Sequence, residues 1–222
     1  MIAGSAKAVI LLSGGLDSAV TAAIAKSEGY DLYCLTVLYG QRHRVEVERA
    51  KAVAAALGAK DHVLLALDLR SFGGSALTGE QAVPKDRSEQ ERSGGIPVTY
   101  VPARNTIFLS LALAYAEVVD AGAIYFGANV VDYSGYPDCR PDFIEAFEAM
   151  ARLGTKRGAA GQAIEVRAPL LKLSKADIIR RGLALAVPFE STHSCYDPDA
   201  QGRACGRCDS CQIRREGFRQ AG

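Results

Sequence analysis

Five short apolar runs, at residues 8–12, 32–38, 62–67, 123–126 and 164–166, punctuate the chain, and each gives way to a polar, glycine-bearing turn and usually to a helical pattern. Alternation of this kind admits few folds. Strands separated by helices need right-handed crossovers, so the pattern predicts an α/β protein with a doubly wound parallel sheet covered on both faces. Alanine-rich helices are expected at 18–27 and 45–57, the second closing at Gly58 in a left-handed C-terminal cap. A third helix spans 105–120 and stops before Gly122. Phe143, Phe147, Met150 and Ala151 recur at i, i+4, i+7 and i+8, which puts one core-facing stripe on a helix at 141–153. Ser174, with Asp177 three residues on, reads as the cap of a helix at 175–185. Residues 71–95 break the rhythm, crowded with Gly, Ser, Glu, Asp and Arg, and are expected to be either a mobile flap or a disordered excursion.

Composition narrows the class of partner. The 222 residues carry 26 Lys and Arg against 25 Asp and Glu, a formal net charge of +1, which lacks the bulk positive field of a nucleic-acid coat and favours a small-molecule partner. The balance is a cancellation, however. Residues 1–151 hold 13 basic against 18 acidic side chains, and residues 152–222 hold 13 against 7. The basic third is expected to help hold an anionic ligand or to build a subunit contact. The longest apolar stretch, 107–116, is interrupted by Ser110 and falls short of the ~20 residues of a membrane-spanning helix. The run at 8–12 is too short for a secretory core of ~7–15 residues, so a cytoplasmic protein is expected.

In an open parallel sheet, ligands bind beyond the carboxyl ends of the strands. The turn after the first run, Ser13-Gly14-Gly15-Leu16-Asp17-Ser18, is the sharpest such feature. Two glycines let backbone approach a ligand, and the helix that follows offers free N–H groups and the positive end of its dipole, which suits a phosphate. Ser13 and Ser18 add hydroxyls. The turn is neither a Walker A loop nor a Gly-x-Gly-x-x-Gly fingerprint, and a glycine turn that only caps a helix is the plainer alternative.

Four of the six cysteines, Cys195, Cys205, Cys208 and Cys211, fall within seventeen residues, in two Cys-x-x-Cys steps preceded by a lone Cys. Four thiolates so spaced could close a tetrahedral structural zinc site. An iron–sulfur cluster is the rival, but the run lacks the fourth ferredoxin Cys followed by Pro, having Gln212-Ile213-Arg214 instead. The cluster is far in sequence from the strand ends, so its expected work is to pin the tail, residues 191–222, onto a main domain of residues 1–190.

Ser13 to Ser18 resembles the PP-loop of the ATP pyrophosphatases, which adenylate a substrate and release pyrophosphate. Tyr39-Gly40-Gln41-Arg42-His43, Arg104-Asn105, the segment from Asp132-Tyr133-Ser134 through Tyr136, Asp138, Cys139 and Arg140, and Ser194-Cys195-Tyr196 with the three later cysteines resemble the 7-cyano-7-deazaguanine synthase (QueC) family. That resemblance implies an adenine nucleotide alpha hydrolase-like (HUP) fold with a small C-terminal zinc appendage. It also implies a C–N ligase of queuosine biosynthesis, in which ATP with Mg2+ activates 7-carboxy-7-deazaguanine and ammonia gives first the amide, then the nitrile. A homodimer is implied as well.

On this reading Leu12, Ser13, Gly14, Gly15, Leu16, Asp17, Ser18, Ala19, Val20, Thr21 and Ala22 form the ATP site. Asp17 would help hold magnesium, with helix capping as the alternative. Lys175 would reach the triphosphate, against a solvated lysine. Arg42 and His43 would lie near the nucleotide or acyl oxygen, against a solvated turn. Arg104, Asn105, Asp132, Tyr133, Ser134, Tyr136, Asp138 and Arg140 would bind the heterocycle and its carboxylate. A thioester at Cys139 is disfavoured, because no proton acceptor is evident beside it and the adenylate already activates the acid.

Two positions depart from the family pattern: His193 stands where Trp is usual, read here as a surface residue, and Ala103 where Gly is usual, which implies a backbone that need not reach positive φ. The rival function is a PP-loop enzyme adenylating a macromolecule, either a tRNA base or a protein that receives deazaguanine. A catalytically dead ATP-binding module is a third.

Overall fold

A computed structural model describes residues 5–40, 45–92, 94–131 and 136–222. The strands are β1 (Lys7–Leu11), β2 (Asp31–Leu38), β3 (Asp61–Ala66), β4 (Ala123–Tyr125) and β5 (Glu165–Arg167). The helices are α1 (Leu16–Ser27), α2 (Val45–Leu57), α3 (Glu89–Arg92), α4 (Arg104–Val119), α5 (Pro141–Gly154), α6 (Lys156–Ala159), α7 (Lys175–Ala184) and α8 (Asp209–Ala221). All strand pairs are parallel, in the order β3-β2-β1-β4-β5. The chain therefore runs outward from β1 in one direction and returns to start the other half beside it, which makes the carboxyl ends of β1 and β4 the switch point where ligands bind.

The period of two along each strand sorts the core into two layers. Ala8 and Ile10, Leu32 and Cys34, and Ala123 and Tyr125 turn to the face covered by α1, α2 and α7. Val9, Leu35, Val37, Ile124 and Phe126 turn to the other face, where they meet Leu109 and Leu113 of α4 and Ile144 and Phe147 of α5. Sheet and helices agree with the sequence pattern, and Gly58 takes the left-handed C-terminal position at φ +69°; of the expected stripe Phe147 and Ala151 are buried and Phe143 half-buried, but Met150 is 44% exposed and does not face the core. Ser174 caps α7 by accepting from the Asp177 N–H, while its hydroxyl donates to the Asp177 carboxylate at 2.6 Å.

Three features differ from expectation. Of residues 71–95, the stretch 71–92 packs as a strap: Ala76, Leu77 and Val83 are buried in the second core layer, and Lys85 forms an antiparallel bridge with Cys208. Ion pairs Lys85–Asp197, Asp86–Arg207 and Arg87–Asp209 fasten it to the C-terminal segment. Its few apolar anchors have no local period, so nothing short-range betrays them. The sequence pattern also gives no sign of α8, because only Asp209, Ser210, Cys211 and Gly217 are buried in a run otherwise rich in arginine. Finally, Ala103 does adopt a left-handed conformation, φ +53°, as the residue from which the chain enters α4. The turn needs that geometry whether or not the side chain welcomes it, and a Cβ there costs on the order of 1 kcal/mol. Ala103→Gly should therefore stabilise the protein by about 1 kcal/mol, read as a rise of a few degrees in Tm by calorimetry.

Candidate functional site

A cleft opens at the switch point, lined by the β1 turn, the ends of β2 and β4, the starts of α2 and α4, and the segment 193–196. Gly15 is the N-cap of α1 and no side chain caps it, so the first amides of the helix are left for a ligand. The serines brace the turn internally: Ser13 and Ser18 hydroxyls lie 3.0 Å apart, Ser18 donates to the Gly15 carbonyl, and the Gly15 N–H donates to Ser13 Oγ. Gly14 sits at φ +80°, and a Cβ there would come within 2.4 Å of the Glu46 carbonyl. The start of α2 is thus packed directly on the turn. From the opposite side the His193 N–H donates to the Gly14 carbonyl at 2.9 Å.

Asp17, at the second position of α1, does not cap the helix. Both its oxygens accept from Lys175 Nζ, at 2.7 and 2.9 Å. Lys175 is only 8% exposed, so it is no solvated lysine. It is backed by Gly217 of α8, where a Cβ would lie 2.4 Å from Lys175 Cγ. Leu12, Ser13, Gly15, Leu16, Asp17 and Ser18 border the cleft, while Ala19, Val20, Thr21 and Ala22 are buried within α1 and do not line it.

The far wall is aromatic and basic. Arg104 stacks over the Tyr39 ring at 5.9 Å, and Phe108, Phe126 and Tyr136 complete an apolar flank suited to a flat heterocycle. Burial works against the charge of Arg104, but the Tyr39, Tyr136 and Tyr196 phenols and the Asp138 carboxylate outweigh it and hold the guanidinium firmly protonated. Glu46 shares this wall. Its burial pushes the carboxyl up to about 7, partly opposed by Arg104.

Asn105 lines the cleft, but Asp138 lies behind it. The buried Asp138 carboxylate accepts the Asn105 backbone N–H at 2.9 Å and so caps α4 from a distant loop. Arg140 is exposed at the N-cap of α5 and does not border the cleft. Arg42, His43, Asp132, Tyr133 and Ser134 lie outside the described residues. Cys139 borders the cleft with its sulfur accepting from Asn105 Nδ2 at 3.1 Å. Burial and the neighbouring Asp138 push its thiol up to about 12, which keeps it protonated and argues against a thioester.

His193 is buried and borders the cleft, contrary to the surface reading, because the chain passes over the Gly14 turn there. Distance in sequence also misled for the cysteine cluster: Ser194, Cys195, Tyr196 and Ser210 all line the same cleft. The four sulfurs of Cys195, Cys205, Cys208 and Cys211 lie within 4.8 Å of one another, and all four cysteines are free of disulfides. Tetrahedral zinc at about 2.3 Å from each sulfur would set them about 3.8 Å apart. Backbone N–H groups of Cys205 and Asp197 donate to Cys195 Sγ, and those of Cys208 and Arg207 to Cys205 Sγ, the environment that thiolate ligands need. The cluster could hold zinc. Sequence reading missed Glu46, Thr36, Ser210 and Asn129 as cleft residues; an acid in the first turn of a helix reads first as a partner of the helix dipole, and only packing reveals where it faces.

Parallel sheet, switch-point cleft and uncapped serine–glycine turn define a PP-loop ATP pyrophosphatase fold. The same fold is seen in the crystal structure of a 4-thiouridine synthetase–RNA complex with bound ATP, at 20% identity and TM-score 0.50, over 97% of this chain and 50% of that one. The model of the family described as "Queuosine biosynthesis protein QueC" matches residues 7–222, and the chain belongs to that family. It is 63% identical to a 7-cyano-7-deazaguanine synthase of Syntrophus aciditrophicus (strain SB) and 62% identical to one of Myxococcus xanthus (strain DK1622), in each case over 97% of this chain and 94% of the relative.

Gly14→Ala should leave the fold intact yet displace the turn. Left-handed strain and the close Glu46 carbonyl together predict a loss of ATP affinity of roughly tenfold or more, measured by calorimetric titration against wild type.

Proposed function

We propose that this protein is an ATP-dependent C–N ligase that converts 7-carboxy-7-deazaguanine and ammonia into 7-cyano-7-deazaguanine for queuosine biosynthesis, in the cytoplasm and as a homodimer. The observation that carries the reading is one cleft with a phosphate-binding turn at one end and an aromatic wall at the other, in a chain similar to 7-cyano-7-deazaguanine synthases over nearly its whole length.

A carboxylate is a poor electrophile because its leaving group would be oxide. Adenylation replaces oxide with AMP, so the protein's task is to align ATP for attack at the α-phosphorus and to favour the departing pyrophosphate. Ser13, Gly14, Gly15 and Ser18 with the free amides of α1 are assigned to the pyrophosphate. Lys175, held ready by Asp17 and backed by α8, is assigned to the triphosphate charge. Magnesium, when bound with ATP, supplies neutralisation of the leaving group, and Asp17 is assigned to help hold it. Arg104, Asn105 and Tyr136 are assigned to the heterocycle and its carboxylate, as are Asp132, Tyr133 and Ser134, with Arg42 and His43 near the reacting centre. Asp138 serves by capping α4 beneath Asn105, and Arg140 by starting α5. Ala19, Val20, Thr21 and Ala22, buried off the cleft wall, are assigned to support the turn through α1.

Two measurements test this. Incubation of the purified protein with ATP, magnesium, ammonium and the carboxylate should give the nitrile by mass spectrometry, with AMP and pyrophosphate formed, and without tRNA or an acceptor protein. Turnover only on adding tRNA or protein would favour the macromolecular reading instead. Metal analysis should find one zinc per colourless chain. Removing it with a chelator should lower Tm and expose residues 195–211 to protease, since structural zinc contributes folding energy directly. A brown protein absorbing near ~400 nm would point to iron–sulfur.

A further inference from the structure

Nitrile formation from a carboxylate and ammonia has a proton problem that adenylation does not solve. When ammonia attacks the acyl adenylate, the new C–N bond forms from the nitrogen lone pair, the C–O bond to AMP breaks, and the nitrogen must shed a proton to become the amide. In the second half, the amide oxygen displaces pyrophosphate from ATP. The adenylated amide then gives up its remaining N–H protons, as their electron pairs build the C≡N triple bond and AMP leaves with the C–O pair. Every shed proton comes from nitrogen, so a base must stand beside the reacting carbon.

Among the described residues that border the cleft, the carboxylates are Asp17 and Glu46. Asp17 is engaged by Lys175 through both oxygens. Cys139 is held as a thiol. Glu46 has a different setting. Its own carbonyl is wedged against Gly14, which fixes the start of α2 on the phosphate-binding turn, and the residue borders the cleft within reach of Arg104 and Tyr39 on the aromatic wall. Among the described residues, the groups acting on it are Arg104 from α4 and Tyr39 from beyond β2. On the other elements packed against α2, Asp17 of α1 is neutralised by Lys175, and Glu190, on the short 3-10 turn Phe189–Ser191, is exposed to solvent.

We propose that Glu46 is the general base of this reaction, accepting one proton from nitrogen when ammonia displaces AMP and then, in the second half, the two remaining N–H protons one at a time, the first once the amide oxygen is adenylated and the second as AMP leaves and the nitrile forms, passing each to solvent before taking the next. The inference rests on the function proposed above. Burial supports it: a carboxyl pushed up to about 7 is half ionised at neutral pH, the range in which a base is most effective. The sign follows. The carboxylate, the working form, prevails above that pH, and the rate falls as pH drops through it.

Supplying the 7-carboxamide in place of acid and ammonia isolates the second half from ammonium titration. For the wild type, log kcat for nitrile formation should rise with unit slope from pH ~5.5 and level off near pH ~7. Glu46→Gln should lower that kcat by about 10²–10⁴-fold and abolish the limb, while acid-dependent exchange of pyrophosphate into ATP, measured without ammonia, stays within about threefold. Glu46→Asp should restore part of the rate and the limb. The inference is overturned if pyrophosphate exchange falls in step with nitrile formation, if Glu46→Gln raises only KM, or if His193→Asn removes the limb while Glu46→Gln keeps it. Absence of nitrile from wild type under all conditions would instead sink the proposed function itself.

Discussion

At Gly14 three stretches of chain meet: the turn after β1, the start of α2 through the Glu46 carbonyl, and residue 193 through its backbone N–H. The α2 contact is the one a side chain at position 14 would push aside, and each of the three delivers something different to the cleft. The turn brings the uncapped amides of α1. The α2 contact brings a carboxyl that burial pushes up to about 7. The residue-193 contact brings Ser194, Cys195 and Tyr196, and with them the wall formed by the cysteine cluster. An uncapped helix start, a titratable acid and a cysteine cluster that could hold zinc are thus placed around one cleft by one close approach of backbone to backbone.

The Asp17–Lys175 pair shows a second layer of support. A largely buried lysine is costly to desolvate, and an ion pair in that setting is weak evidence of stabilisation. Its location explains its presence better than stability does. It stands at the uncapped start of α1, and its stem is pressed by Gly217 of α8. The C-terminal helix, with Phe218 set edge-on against Phe189, therefore fixes the position of the Lys175 ammonium, which pairs with Asp17 near the other end of the sequence. Anything that loosens α8 reaches the phosphate end of the cleft through a side chain, not through the sheet.

What was legible in the sequence was local. Strand periodicity, the glycine at 58, the serine at 174 and the apolar stripe of α5 each depend on neighbours within a turn or two, so they survive without knowledge of the fold. The cleft's serine–glycine turn and the four cysteines were legible for the same reason. What escaped depends on contacts between distant segments. Residues 71–95 look unstructured until Arg87 finds Asp209 and Arg92 finds Gln212. Asp138 reads as a ligand-binding acid until the Asn105 amide is seen pointing at it. His193 and Ala103 were misread because a single position carries no record of the chain that crosses over it or of the turn it must complete.

The strap ties the cysteine segment to the cleft that it borders. Lys85 pairs with Asp197 and Arg87 with Asp209, so the strap grips both ends of the cysteine segment, while Leu77 from the same strap reaches the cleft wall. A metal holding four thiolates would freeze the loops between Cys195 and Cys211, and through those ion pairs it would also freeze residues 77–92. Rigidity gained at the metal is thereby spread to three sides of the cleft. A hydrophobic core of the same size could not do this, because residues 195–211 carry too few apolar side chains to bury. A metal bound there would substitute for a core in a segment whose residues help to line the cleft.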